Sequence, residues 1–438
     1  MKNKMDLYCA TFVSGGQQII ERQLKKKPAN RFKIVEVLDG MVVFETDYTP
    51  HELRQMRYLT NIFVILNGLY FKEDMSFENL FKRFINDGVH NKSHVKTLLG
   101  QHRETFKIVV SENNQTIGFD RVYLQKAETV IEKDLGMKLS VREPQREVWF
   151  MRRNKIRVDK NEAEEENDEE WNEAVAKAAE DKADKAKADS KNSKGNKGNS
   201  KAGKGGDEPE KNESGNNELA SLGEVLDPKN KNIRLICALR LTQLSEDKKH
   251  HRAGELPPEI AELLILESNP TPKDIILDPF CGYGGILKER VHFNAYRKAI
   301  GMDSHERAIE GIHKELNRQI NTRKNIQLIF GDFFDQGENV IPKASITKII
   351  TDPPWTSFRG KSVFKDHAFE NNQIDYQEML KKFEFVLMKG GKAIVLIVGD
   401  KEEFENNLFN FQKTLKLDRT SHILVSGKKA GIYTISRQ

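Results

Sequence analysis

A chain of 438 residues exceeds one comfortable hydrophobic core and predicts two or three domains. With 37% hydrophobic and 31% charged residues, no apolar run near the roughly 20 residues of a membrane span and no signal-peptide core after Met1, it reads as an intracellular protein without a membrane partner, cytoplasmic first and nuclear second. Cys9, Cys237 and Cys281 lie far apart without metal-ligand or paired spacing, so neither a disulfide framework nor a metal site is expected, and a net charge of +5 is too small alone to name a polyanion partner.

From the amino end, Leu7 to Val13 alternates as a strand, Ser14-Gly-Gly16 reads as a turn, and Gln17 to about Lys27 as a helix. Phe32 to Leu38 and Met41 to Glu45 flank Gly40 as a hairpin, and Thr49 to Leu66 gives a helix running into a strand. That β-α-β-β-α-β order predicts a ferredoxin-like domain over residues 1–75. A second α/β unit, residues 76–160, is predicted from a helix at Phe77 to Phe84, a strand at Thr105 to Val110, a helix at Arg121 to Leu135, and paired strands at Glu147 to Arg153 and Lys155 to Val158.

Residues 161–217 lose all apolar periodicity, acidic first and then rich in Lys, Gly, Ser and Asn. Such a composition buries too little apolar surface to offset chain entropy and predicts a disordered charged linker. Residues 218–438 form the last predicted domain. It opens with amphipathic helices at Asn232 to Leu244 and Pro257 to Glu267, after which strands and helices alternate from Ile275 to Val398. Alternation of that kind predicts a doubly wound parallel sheet with ligands outside the strand carboxyl ends. Ser421 to Ser426 and Gly431 to Ser436 close it as an antiparallel hairpin.

Within that domain Asp278-Pro-Phe-Cys-Gly-Tyr-Gly-Gly285 follows an apolar strand. Its glycines let the backbone pass close to a nucleoside ligand, but a carboxylate at Asp278 would repel the pyrophosphate of a dinucleotide. An amino-acid tail and a sulfonium tolerate it, so S-adenosylmethionine fits better than NAD. Asp278, Pro279, Cys281, Gly282 and Gly284 form the predicted turn. Asp303, with Ser304, ends the next strand and is placed to accept from ribose hydroxyls. Gly331, Asp332 and Phe333 follow the third strand, with Asp332 facing an adenine amine and Phe333 offering an amide or a ring.

A fourth strand delivers Asp352-Pro-Pro-Trp355. An exocyclic amine on a nucleobase is a poor nucleophile because its lone pair is delocalised into the ring. Accepting its N–H hydrogens on the Asp352 carboxylate and the Pro353 carbonyl favours pyramidalisation toward a methyl donor. Pro353 and Pro354 stiffen the turn, and Trp355 offers a stacking face for a base flipped from its helix. These four are the candidate catalytic residues.

With these motifs in place, the chain resembles the THUMP-domain RNA methyltransferases that form N2-methylguanosine in tRNA. The resemblance is carried by Leu7-Tyr-Cys-Ala-Thr-Phe-Val-Ser-Gly-Gly16 through Leu24, Asp39-Gly-Met-Val-Val-Phe-Glu45, Thr105 to Val110, Gly136 to Pro144, Glu147-Val-Trp-Phe150, His250-His-Arg-Ala-Gly-Glu-Leu-Pro-Pro258 and the Asp352 motif. It implies a class I methyltransferase domain of Rossmann-like fold, preceded by ferredoxin-like and THUMP domains. S-adenosylmethionine is then the cofactor and tRNA or another structured RNA the partner, with a small zinc-binding activator of the Trm112 type as a further candidate partner. Trp355 stands where the family carries Tyr or Phe, Thr356 to Arg359 where a glycine is common, and the charged insertion departs from archaeal members.

The THUMP resemblance implies RNA-backbone contacts from Arg142, Arg146, Arg152, Arg153, Lys155 and Arg157. Two other readings stay open: adenine-N6 methylation of RNA or DNA, which Asp-Pro-Pro-Trp also marks, and a catalytically silent RNA-binding subunit. In the adenine enzymes with that motif it precedes the cofactor segment; here it follows.

Overall fold

The computed structural model describes residues 5–38, 40–71, 76–100, 104–113, 115–154, 233–242, 255–293, 295–318, 325–355, 374–399, 401–425 and 427–438. The expected linker, Lys155, Arg157 and His250 to Arg252 lie outside them.

The N-terminal half is built from β1 (Asp6–Thr11), α1 (Gln17–Leu24), β2 (Phe32–Leu38), β3 (Met41–Thr46), α2 (Pro50–Arg54), β4 (Asn61–Phe71), α3 (Phe77–Asp87), α4 (Lys92–Leu99), β5 (Thr105–Glu112), β6 (Gln115–Ile117), α5 (Arg121–Leu135), β7 (Lys138–Leu139), β8 (Arg146–Asn154) and β9 (Ile233–Arg240). The first four strands take the order β2-β3-β1-β4, the antiparallel arrangement expected of a β-α-β-β-α-β unit. Local chemistry sets the helix ends: Thr49 and Glu52 form a capping box on α2, Asp120 caps α5, and Gly136 ends α5 in the left-handed region at φ 73°.

Sheet order then continues β4-β9-β8-β5-β6, which corrects the expectation for residues 232–244. Ile233–Arg240 is not a helix. It is a strand antiparallel to both β4 and β8, joining the two N-terminal units into one sheet of nine strands. Leu235, Cys237 and Leu239 pack on the face covered by α1, α3, α4 and α5, while Ile236 and Ala238 pack on the other with Cys9, Phe63 and Met151. A strand buried on both faces shows no period of two, so its apolar run imitates a helix. The strand expected from Glu147 is β8, running between β5 and β9, and its expected partner at 155–158 lies outside the described residues.

The C-terminal half contains α6 (Pro258–Glu267), β10 (Ile275–Asp278), α7 (Gly285–Phe293), β11 (Lys298–Asp303), α8 (Glu306–Arg318), β12 (Ile326–Phe330), α9 (Phe333–Val340), β13 (Ile346–Thr351), α10 (Tyr376–Val386), β14 (Leu387–Val398), α11 (Lys401–Asn410), β15 (Leu415–Val425) and β16 (Lys428–Arg437). Its sheet has the order β12-β11-β10-β13-β14-β16-β15, parallel from β12 to β14 and closed by the antiparallel pair β16 and β15. Counted within this sheet, that is 3-2-1-4-5-7-6, the doubly wound arrangement with its C-terminal hairpin. The order reverses between β10 and β13, which opens a crevice at their carboxyl ends.

Residues Ile260 to Glu267 of α6 are all buried. A helix buried all round must be covered on every side, and α6 is packed by α1 from the N-terminal half and by α7, β13 and β14 from the C-terminal half. One hydrophobic cluster accordingly runs from Tyr8, Ile19 and Phe44 through Leu263 and Leu264 to Ile394, Leu396 and Ile432.

Candidate active site

Asp278 ends β10 and Asp352 follows β13, so adjacent parallel strands deliver two carboxylates to the crevice. Asp278 is 1% exposed. Its Oδ1 accepts from the Thr351 hydroxyl at 2.8 Å and from the Phe280 amide at 3.4 Å. Burial pushes its carboxyl up to about 8 against these hydrogen bonds, and the negative charges of Asp352 and Asp303 raise it further. Thr351, fully buried, was not anticipated as a site residue. Its signal was the single hydroxyl closing the apolar run before Asp352.

The turn after Asp278 is shaped by glycine where a side chain cannot fit. Gly284 has φ +81° and a Cβ there would press on Ile312 at 2.9 Å. The Gly282 amide, presented by a residue at φ +48°, donates to Asp303 Oδ2 at 2.7 Å, and the His305 amide donates to Asp303 Oδ1 at 2.8 Å. The carboxylate at the end of β11 is thus oriented by two backbone donors while retaining further lone pairs. Pro279 and Cys281 are buried, and the Cys281 amide is tied to the Met302 carbonyl at 3.0 Å. Ser304 is exposed beside Asp303.

Asp332 is the N-cap of α9, its Oδ1 accepting from the Phe334 amide at 2.7 Å. Gly331 precedes it, and its amide donates to the Asp303 carbonyl at 3.0 Å. Of the two roles expected of Phe333, an amide or a ring, the ring is excluded. That ring is 1% exposed, packed against Gly337, Phe280 and Phe383, and only its amide is left for recognition. Phe334 is partly buried with its ring 5.7 Å from that of Phe280, giving two aromatic groups beside Asp332.

In the second motif the Trp355 indole Nε1 donates to Asp352 Oδ1 at 2.7 Å. Burial nevertheless pushes the Asp352 carboxyl up to about 7. Pro353 is buried and Pro354 exposed. Trp355 is less free than a bare stacking platform: part of it packs against the main core, and the Lys428 ammonium lies 5.7 Å from the ring centroid. Among the described residues no Lys or Arg side chain pairs with Asp278, Asp303, Asp332 or Asp352. Four carboxyl groups unpaired with any Lys or Arg among the described residues disfavour phosphate and suit a ligand bearing hydroxyl or amine donors and a positive charge, which holds Asp278 and Asp352 in the ionised form. That is the chemistry of S-adenosylmethionine.

The predicted basic strip does not assemble as a whole. Arg142 is exposed. Arg146 makes a two-pronged pair with Glu104 at 2.6 and 3.0 Å and donates to the Leu241 carbonyl; Arg152 pairs with Glu112 at 2.6 Å. Arg153 is corrected outright. It is 1% exposed and donates to Ser111 Oγ and the Arg152 carbonyl, because successive side chains on β8 face opposite sides of a covered sheet.

Residues 247–420 match the family model described as the RMKL-like methyltransferase domain, and residues 107–315 match one described as DNA methylase, a span that ends before Asp352. The chain is 28% identical over 169 residues to the tRNA (guanine(10)-N2)-dimethyltransferase of Methanothermobacter thermautotrophicus, covering 36% of this chain and 46% of the relative. It is 28% identical over 151 residues to the enzyme of the same name from Methanocaldococcus jannaschii, covering 34% and 41%. The chain therefore spans less than half the length of these curated relatives. Among solved structures, TrmN from Thermus thermophilus superimposes with a TM-score of 0.62 at 12% identity over 99% of both chains.

Proposed function

We propose that this chain, whose catalytic half has the class I methyltransferase fold, is an RNA methyltransferase acting on the guanine N2 amine of tRNA. The cofactor is S-adenosylmethionine, which supplies a methyl group activated by a sulfonium charge. Asp278 is placed to take its positively charged end, Asp303 its ribose hydroxyls, and Asp332 with the Phe334 and Phe280 rings its adenine. The observation that carries the reading is the placement of Asp352: an acceptor-only carboxylate oriented by Trp355 at the carboxyl end of β13, next to the strand that carries the cofactor turn.

Asp352 Oδ2 has no partner among the described residues and can accept from one N–H of an exocyclic amine. Holding that N–H in the plane of the carboxylate draws the nitrogen lone pair out of conjugation, and an acceptor fixed before reaction costs no reorganisation. The proton released after transfer has a nearby carboxylate of raised affinity to accept it. The names of the two archaeal relatives support guanine N2 as target and tRNA as substrate. A zinc-binding activator subunit of the Trm112 type belongs to the proposal only as a partner to be added in the assay.

Adenine N6 is the second reading, favoured by Trp355 in place of Tyr or Phe. Incubating the protein with S-adenosylmethionine and unmodified tRNA transcripts, with and without the activator, then digesting to nucleosides for mass spectrometry, separates the two. N2-methylguanosine supports the proposal; N6-methyladenosine replaces it; no methylated nucleoside under any condition leaves the silent subunit.

A further inference from the structure

The loop between β1 and α1, Ser14-Gly15-Gly16, reaches the catalytic half. The Leu424 amide of β15 donates to the Ser14 carbonyl at 3.1 Å. Gly15 sits at φ +86°, and a Cβ built on it would fall on the carbonyl oxygen of His422 and lie 2.9 Å from the Ile423 Cα. No L side chain fits that approach, and β15 is the edge strand of its sheet, so the loop satisfies a backbone donor that the sheet leaves open.

A second fastening lies alongside. Glu267, whose side chain is 2% exposed, accepts from Arg22 of α1 through Oε2 at 2.6 Å and from Arg419 of β15 through Oε1 at 2.6 Å; Thr434 of β16 adds a bond at 3.3 Å. One buried carboxylate thus holds together α1, α6 and both strands of the hairpin. β16 of that hairpin begins at Lys428, which lies over the ring of Trp355, the donor to Asp352.

Resting on the function proposed above, we infer that the Ser14–Gly15 turn and Glu267 are positioning residues for methyl transfer: they lock the N-terminal sheet to the hairpin β15–β16, so that RNA bound to the chain presents its base to Asp352. Neither touches the cofactor or the reacting amine. Their effect is on geometry, and misplacement of about an ångström at a reacting centre costs roughly 100-fold in rate.

The test compares full-length Gly15→Ala, Gly15→Val and Glu267→Gln with wild type, using a tRNA transcript and labelled S-adenosylmethionine. Ser14→Ala serves as control because the bond uses the Ser14 carbonyl. Expected are cofactor and RNA dissociation constants close to wild type, with single-turnover rates at saturating RNA reduced about 100-fold for Gly15→Val and about 10-fold for Glu267→Gln, and Ser14→Ala unchanged. Should Gly15→Val fail to fold, seen as lost cofactor binding, Gly15→Ala and Glu267→Gln decide. Saturating rates equal to wild type in variants that bind both ligands overturn the inference, as does a loss confined to RNA affinity. A wild-type protein inactive on every RNA overturns the proposed function and this inference with it.

Discussion

The Trp355 indole N–H and the Asp352 carboxylate form a 2.7 Å hydrogen bond three residues apart, across the diproline. A rigid Pro353-Pro354 pair turns the chain so that the fourth residue of the motif orients the first. The aromatic position therefore aims the acceptor and favours its ionised form against the larger effect of burial, as well as offering a ring to a base.

Trp355→Phe keeps the ring and removes the donor. The indole hydrogen bond favours the ionised carboxylate, so its loss raises the Asp352 pKa further above its present value of about 7. Because the acceptor works only when ionised, the acid limb of the kcat/KM profile should move to higher pH. The deficit should be largest near pH 7 and shrink toward pH 9. A profile lying at or below the wild-type limb would show that the bond has no part in ionising Asp352.

Asp352→Ala should lower the single-turnover rate by on the order of 100-fold or more while leaving cofactor affinity within twofold, since one fixed acceptor at a reacting centre carries that much. Asp352→Asn keeps one acceptor oxygen and should fall between the two, with its acid limb abolished because the amide does not titrate. Wild-type turnover in Asp352→Ala would remove the residue from the chemistry.

Asp278 makes the free protein less stable at alkaline pH. Its carboxyl is raised from 3.8 to about 8 in the fold. The folded state therefore binds the proton more tightly than the unfolded chain, and the resulting stability is present below the unfolded pKa and lost as pH rises through the folded value. Asp278→Asn removes that dependence and keeps an acceptor for the Thr351 hydroxyl. Thermal unfolding without cofactor should show the variant close to wild type at pH 4.5 and higher by several degrees at pH 8.5, an effect on the order of a few kcal/mol. Equal melting temperatures at both pH values would mean that Asp278 is ionised at little cost. Cofactor affinity should fall in the same variant, the carboxylate being held for the ligand's positive charge.

The placement of the candidate site was largely legible because three of its four acids close apolar runs: Asp278, Asp303 and Asp352 stand at strand ends set by parallel-sheet geometry. What a strand end does not reveal is which of two neighbouring side chains faces in. Phe333 and Phe334 differ only by a step along α9, and Gly337, one turn on, is what lets the Phe333 ring sink into the core. Arg152 and Arg153 pose the same problem on β8, where sheet faces alternate and only the packing tells which is covered. The union of the two N-terminal units was hidden for a different reason: its cause, β9, is supplied from beyond the linker, and no local pattern announces a strand whose nearest partner, Asn154 against Ile233, lies 79 residues upstream.

That strand yields the last prediction. β9 lies between β4 and β8, pairing with eight residues of the first and seven of the second, and it brings Leu235, Cys237 and Leu239 into the core under α3. A fragment of residues 1–155 exposes two long apolar strand edges and lacks the central strand, which predicts aggregation and not independent folding. Joining residues 232–242 to that fragment through a flexible linker should restore a soluble protein with a cooperative melt, because register on both sides is set by buried side chains. The measurement is circular dichroism with size-exclusion chromatography on both fragments. A monomeric 1–155 fragment melting cooperatively at the temperature of the extended one would show that β9 is an accessory to the sheet and not its keystone. The catalytic half, by the same topology, should be cut after residue 242, and a fragment begun near Ser221 carries an unpaired β9 that promotes its association.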